Sequence, residues 1–104
     1  MEREVNLKMK KFAKRVRKEF SDAQIYLFGS RAKNDELADS DFDILVVSKG
    51  FEGVQFFERP VKMYDYWEEK EPIDAFCYTP KEFLEKKRLI GFVSEALKEA
   101  KRVI

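Results

Sequence analysis

The sequence predicts a small α/β (α+β) fold, a mixed sheet of three or more strands covered by helices. Three short apolar runs, "QIYLF", "DFDILVV" and "PIDAFCY", are typical of strands. The stretches around them have helical spacing, which gives the order helix, strand, strand, helix, strand, helix, helix. That order is typical of a sheet with helices packed on it. We expect one domain spanning residues 1–104, because a chain of this length has no room for two cores.

The first helix is predicted from Val5 to Phe20, where apolar residues recur at positions 5, 9, 12, 13, 16 and 20. Lysines and arginines occupy its other side. We interpret them as a solvated helix face rather than a surface for nucleic acid or protein. Ser21-Asp22 ends the helix, and the first strand "QIYLF" ends at Gly29.

The second strand is predicted to have two different faces, because side chains alternate along a strand. One face carries Phe42, Ile44 and Val46, and the other carries Asp41, Asp43 and Leu45. The polar connection "RAKNDELADS" before it is expected to begin with a turn of helix.

The next helix is predicted between Phe56 and Trp67, with Phe57, Val61, Tyr64 and Trp67 on one side. Pro60 is tolerated only in a first helical turn, so the regular helix should begin close to Arg59.

The third strand, "PIDAFCY", leads to a helix capped by Thr79 with Pro80 at its first position. Gly91 should interrupt this helical region and leave "FVSEALKEAKRVI" as a second helical segment.

Composition excludes several kinds of site. The chain has no histidine, which rules out Ser-His-Asp triads and histidine-ligated zinc. Cys77 is the single cysteine, so no internal disulfide can form; we expect it to pack as a small hydrophobic residue in a reducing, cytoplasmic setting. The 21 basic and 20 acidic residues nearly balance, so net charge indicates no partner. No apolar run is long enough to span a membrane.

Two short patterns carry the chemistry. Gly29-Ser30 follows a strand, where a glycine allows close approach of a ligand and free backbone N–H groups can bind phosphate. Asp41 and Asp43 lie on one face of a strand, about 7 Å apart at Cα, and could converge on one hard cation. Alternatively, Gly29 only ends a strand, or the strand starts late and both carboxylates are solvated.

A calcium loop starting at Asp39 is excluded, since Ile44 and Gly50 stand where glycine and glutamate are required.

Asp74 interrupts an otherwise apolar strand, with Phe76 and Tyr78 on its own face. If this strand lies beside "DFDILVV", the Asp74 carboxylate joins the other two. The alternative is an aspartate at a strand start or on an edge strand.

Taken together, Gly29-Ser30, ten intervening residues, Asp41-Phe42-Asp43 and the later Asp74 resemble the nucleotidyltransferase superfamily that includes DNA polymerase beta. The stretch "GSRAKNDELADSDFDI" resembles its minimal nucleotidyltransferase branch, whose usual pattern is Gly-Ser-Arg-Ala-Arg-Gly, a short acidic stretch and Ser-Asp-x-Asp-Leu. Lys33 keeps the charge of the usual arginine. Asn34 departs from the usual glycine.

The resemblance implies a metal-dependent transfer of a nucleoside monophosphate from a nucleoside triphosphate, ATP being expected, to a hydroxyl. Asp41, Asp43 and Asp74 would be catalytic and would bind magnesium, as two ions. Gly29, Ser30, Arg31 and Lys33 would bind the nucleotide, although Arg31 and Lys33 could equally be solvent-facing cations.

The resemblance also implies a partner, because this chain lacks the extra domain that reads the acceptor in larger members. In this branch the partner is a small helical HEPN protein, and the pair forms a toxin–antitoxin system in which the antitoxin transfers AMP to its toxin. Neither membrane association nor direct nucleic-acid binding is expected. Two alternatives stay open: a non-catalytic antitoxin that occludes its partner, and transfer to a small-molecule hydroxyl.

Overall fold

Four strands form one mixed sheet, which confirms the predicted fold class. The structure is a computed structural model that describes residues 3–32 and 41–104. Its elements, in chain order, are α1 (Arg3–Glu19), β1 (Gln24–Phe28), β2 (Phe42–Val47), α2 (Arg59–Tyr66), β3 (Ile73–Tyr78), α3 (Pro80–Lys86), α4 (Phe92–Leu97) and β4 (Lys101–Arg102). Two short 3-10 helices, Lys49–Phe51 and Phe56–Glu58, precede α2.

The strands lie in the order β3-β2-β1-β4. Strand β2 is antiparallel to β1 and parallel to β3, and β4 pairs antiparallel with the other edge of β1. The parallel pair places the beginnings of β2 and β3 at the same end of the sheet, where β1 ends.

The two faces of the sheet pack against different helices, as the alternation along β2 predicted. One face buries Ile25, Leu27, Phe42, Ile44 and Val46 against α1 and α2, whose core residues include Met9, Phe12, Val16 and Met63. The other face buries Leu45, Val47 and Tyr78 against Phe83 of α3 and Val93 of α4. Asp43 and Asp74 also lie on this second face. Asp43 is the register partner of Phe28 on β1, which points there, and Asp74 is the register partner of Asp43 on β3.

Helix α2 begins at Arg59, with Pro60 in its first turn, as expected. Its inward side differs from the predicted one, because Met63 and Arg59 are the residues buried against the sheet. Trp67 follows the helix and packs on Phe42, with ring centroids 4.9 Å apart. Three of the four residues predicted on one side remain exposed: Phe57, Val61 and Tyr64.

Thr79 caps α3 as predicted. Its hydroxyl accepts a hydrogen bond from the Glu82 backbone N–H at 3.2 Å, and the Glu82 carboxylate accepts one from the Thr79 N–H at 2.9 Å. Gly91 interrupts the helical region before α4, again as predicted.

The prediction of helix to the end of "FVSEALKEAKRVI" is wrong. Helix α4 ends at Leu97, and the chain then forms β4 along the outer edge of β1. The Val103 N–H donates to the Ile25 carbonyl at 2.8 Å. This pairing satisfies backbone groups that an open strand edge would leave without partners.

Cys77 is buried in the core, as predicted for a small hydrophobic residue. Within residues 3–32 and 41–104, no helix has the length and apolar character needed to cross a membrane.

Candidate active site

Asp43 and Asp74 are brought together by the pairing of β2 and β3. They are Cα partners in the parallel register, so both side chains project from the same face at the same end of the sheet. Asp43 is half-buried and Asp74 is exposed. Two carboxylates from different parts of the chain therefore converge where solvent can reach them.

Gly29 supplies the third side of this site. It directly follows β1, and Phe28, the last residue of β1, is the antiparallel partner of Asp43. Gly29 has a φ of 75°, which L-residues rarely adopt. A Cβ at this position would lie 2.6 Å from Asp43 Oδ2, closer than real atoms approach. The Asp43 carboxylate therefore occupies the space that a side chain at position 29 would need.

The electrostatics of Asp43 reflect this crowding. Burial raises the pKa of the Asp43 carboxyl above its usual value, and the negative charges of Asp74 and then Asp41 raise it further. Ionisation of Asp43 is therefore less favourable in the folded protein than in the unfolded chain. A cation at this position would offset the repulsion and favour the ionised carboxylate.

Asp41 lies one residue before β2 and is exposed. It is near enough to affect the titration of Asp43. In the part of the chain that the structure describes, no three acidic, cysteine or histidine side chains are grouped tightly enough to hold a metal as they stand. The side chains of Asp41, Asp43 and Asp74 offer carboxylate oxygens as metal ligands, which is the ligand chemistry that magnesium prefers.

The turn after Gly29 is short and closed. The Ala32 N–H donates to the Gly29 carbonyl at 3.2 Å, and the Ala32 side chain is buried in the core. Ser30, inside the turn, is half-buried. The Arg31 guanidinium lies 4.5 Å from the centre of the Phe42 ring. The hydrogen bond from Lys8 lowers the pKa of Glu71 most, and the charge of Arg31 adds a smaller effect in the same direction.

Two positions of the sequence motif, Lys33 and Asn34, lie outside the described residues. The predicted phosphate contact of Lys33 therefore stays a prediction.

An aromatic cluster borders the carboxylates, and sequence reasoning missed it. Phe28, Phe76 and Phe92 pack together on the same sheet face, with ring centroids 4.7–6.0 Å apart. Phe28 is opposite Asp43, and Phe76 follows Asp74 by two residues. The alternation that assigned Phe76 to the face of Asp74 also applies to Phe28, once β1 is paired with β2. Phe92 could not be found this way, because it belongs to a helix.

Comparison with known proteins is consistent with this geometry. Residues 9–104 match the family model described as nucleotidyltransferase domain. No significant match is found among curated proteins.

Two solved structures are similar to the chain. A protein from Sulfolobus solfataricus assigned as a nucleotidyltransferase is 28% identical, with a TM-score of 0.56, over 95% of this chain and 82% of that one. A toxin–antitoxin structure with AMP-PNP has a TM-score of 0.59 at 20% identity, over 92% of this chain and 72% of that one. The second likeness is one of fold.

Proposed function

Because the chain belongs to the nucleotidyltransferase domain family, we propose that it transfers AMP from ATP onto a hydroxyl group of a protein partner. One observation carries this proposal: Asp43 and Asp74 are register partners directly beside the Gly29 turn. Convergent carboxylates next to a glycine turn suit a reaction whose main demands are phosphate positioning and charge neutralisation.

The proposed roles follow from this arrangement. Gly29 and Ser30 hold the terminal phosphates of ATP, because a left-handed glycine leaves the backbone open to close approach. Asp41, Asp43 and Asp74 would hold magnesium, as two ions. Magnesium ions bound there would neutralise phosphate charge and lower the barrier to attack. Arg31 and Lys33 add phosphate contacts.

The bond changes are those of a single displacement. The acceptor oxygen forms a bond to the α-phosphorus of ATP, while the bond from that phosphorus to the bridging oxygen of the β-phosphate breaks. Pyrophosphate leaves, and the hydroxyl proton passes to Asp74, which is the exposed carboxylate of the pair.

We further propose that the acceptor is a protein and that this chain is an antitoxin. The fold likeness to a toxin–antitoxin structure with AMP-PNP supports this assignment. The small helical HEPN protein suggested by the sequence motif is the proposed acceptor, and silencing of that protein is the proposed outcome.

Label transfer tests the proposal. The chain, magnesium and the protein encoded in the adjacent reading frame are incubated with ATP labelled at either the α- or the γ-phosphate. Only the α-label should appear on the acceptor, and Asp43→Asn or Asp74→Asn should abolish it. Asp65→Asn, an exposed acid on α2, is the matched control and should transfer normally. Label that persists in both site variants would contradict the proposal.

The same variants address the occluding alternative. If Asp43→Asn and Asp74→Asn still neutralised the partner in cells as well as the unmodified chain does, binding rather than transfer would be the main activity.

A further inference from the structure

The connection between α3 and α4 is unusually apolar for an exposed segment. Ile90 is 100% exposed, Leu89 is 62% exposed and Phe92 is 48% exposed. Beside them is a pocket of about 390 Å³, lined also by Phe56 and Tyr78. We call Phe56, Leu89, Ile90 and Phe92 the apolar rim. Contiguous exposed apolar side chains of this kind mark surfaces that bind another molecule.

The apolar rim is continuous with the candidate active site. The Phe92 ring packs on Phe76 at 4.7 Å, and Phe76 is two residues from Asp74 on the same face of β3. The rim and the Asp74 carboxylate therefore lie on the same face of the sheet, joined by the contact between the Phe92 and Phe76 rings.

A run of three basic residues borders the rim. Lys86, Lys87 and Arg88 immediately precede Leu89, and Lys86 also lines the pocket. Lys87 lies over the ring of Phe83, at 5.6 Å from its centre. Lys86 and Arg88 form no ion pair with any other described residue.

This charge argues against a second copy of the chain as the occupant. A symmetric dimer through the rim would bring each basic run against its own copy, and like charges facing each other are destabilising. A partner whose apolar groove is bordered by carboxylates would instead complement both the apolar and the basic residues.

We propose that the apolar rim, with Lys86 and Arg88, docks the acceptor protein through an apolar groove bordered by acidic side chains. This inference rests on the proposed function, because the docked protein is the one that carries the accepting hydroxyl. Docking at the rim holds that hydroxyl at the end of the sheet where Asp43 and Asp74 lie.

Binding measurements on the full-length chain test this. The probe is the protein encoded in the adjacent reading frame, and its Kd is measured for the unmodified chain, Ile90→Asp and Leu7→Asp. Leu7 is 51% exposed on α1, which packs on the opposite sheet face, so it is a matched control. Ile90→Asp should weaken binding about tenfold or more, as expected for an anchor residue at an interface, and Leu7→Asp should not.

A second pair of variants tests the charge. Lys86→Glu with Arg88→Glu should slow association and reduce its dependence on salt, whereas Lys10→Glu with Lys14→Glu on α1 should not. Equal affinity for the unmodified chain and Ile90→Asp would overturn the inference. So would absence of any complex, or a self-dimer that Ile90→Asp dissociates.

Magnesium-dependent ATP binding is measured in parallel on the same proteins. Ile90→Asp should bind ATP as the unmodified chain does, because Ile90 lies in the connection between α3 and α4 and belongs neither to the Gly29 turn nor to the paired strands that carry Asp43 and Asp74. Loss of docking with intact ATP binding supports the inference. If the unmodified chain binds the partner but never transfers label to it, the proposed function fails while the docking surface stands.

Discussion

Gly29 and Asp43 are in such close contact that a single methyl group would not fit between them, since a Cβ on Gly29 would lie 2.6 Å from Asp43 Oδ2. The turn that ends β1 and the carboxylate at the start of β2 are therefore one structural unit. Any ligand held by the backbone of this turn is also within reach of the Asp43 carboxylate.

Gly29→Ala should damage both the fold and the activity. The left-handed φ of 75° costs an alanine about 1 kcal/mol, and the new methyl must displace Asp43. Gly53→Ala is the matched control, because Gly53 has a φ of 76° but no atom within 4 Å of its Cβ position.

By denaturant titration, Gly53→Ala should lose about 1 kcal/mol of unfolding free energy, and Gly29→Ala should lose more because its methyl group must also displace Asp43. Only Gly29→Ala should lose label transfer, by about a hundredfold, as expected when a reacting group is displaced. Equal activity of the two variants would show that the contact with Asp43 is unimportant.

Asp43→Asn should stabilise the protein at neutral pH in the absence of magnesium. The folded pKa of Asp43 is raised above its ordinary value of 3.8, so ionisation is less favourable in the folded than in the unfolded chain. The resulting penalty is present above the folded pKa and disappears as pH falls through it. The stability gap between the two proteins should therefore close in acid.

Magnesium should reverse this order, because an ion that binds only the folded state stabilises it. The Tm of the unmodified protein should rise with magnesium and that of Asp43→Asn should not. An unmodified chain that is more stable than Asp43→Asn at pH 7 without magnesium would contradict the repulsion at this site.

Arg59→Lys should destabilise the fold by about 2 kcal/mol, because lysine cannot reproduce the planar donor set. Arg59 is buried and donates to the carbonyls of Val54 at 2.9 Å and Cys77 at 3.1 Å, and to Glu82 at 2.6 Å. Chemical denaturation of Lys98→Ala, which breaks an exposed pair, should show a change within about 0.5 kcal/mol.

The ion pair between Arg59 and Glu82 predicts that the stability of the fold depends on pH. The hydrogen bond from Arg59 lowers the pKa of Glu82 below its ordinary 4.5. The stability that this pair contributes is present above that value and is lost as pH falls through the lower folded pKa. Arg59→Lys should therefore show a shallower loss of stability in acid, and an identical acid profile would contradict the role given to this ion pair.

Cys77 should be unreactive in the folded protein. Burial raises its pKa to about 12, so almost no thiolate is present at pH 8. A thiol-specific reagent should modify Cys77 only after denaturant is added. Rapid modification of the folded protein would mean that this part of β3 opens readily.

The sequence motifs predicted the strands β1, β2 and β3 and the faces on which Asp43 and Asp74 lie, because the alternation in β2 and β3 leaves few choices of face. Asp41 was predicted inside the second strand, whereas β2 begins at Phe42 and leaves Asp41 just before it. Pairing was harder to predict, since nothing in "PIDAFCY" states that Asp74 lies opposite Asp43 rather than two residues away. The end of the chain was predicted as helix because its local spacing is helical. In the structure it instead pairs with the free edge of β1 and forms β4. The position of Phe92 and of the rest of the apolar rim depends on how α3 and α4 pack, and the local sequence pattern does not specify that packing.

Intact mass spectrometry of the acceptor protein tests the central claim most directly. After incubation with the chain, ATP and magnesium, the acceptor should gain the mass of one or more AMP groups, and with Asp43→Asn it should gain none. An acceptor whose mass is unchanged by the unmodified chain, or increased equally by Asp43→Asn, would contradict nucleotidyl transfer at the paired aspartates.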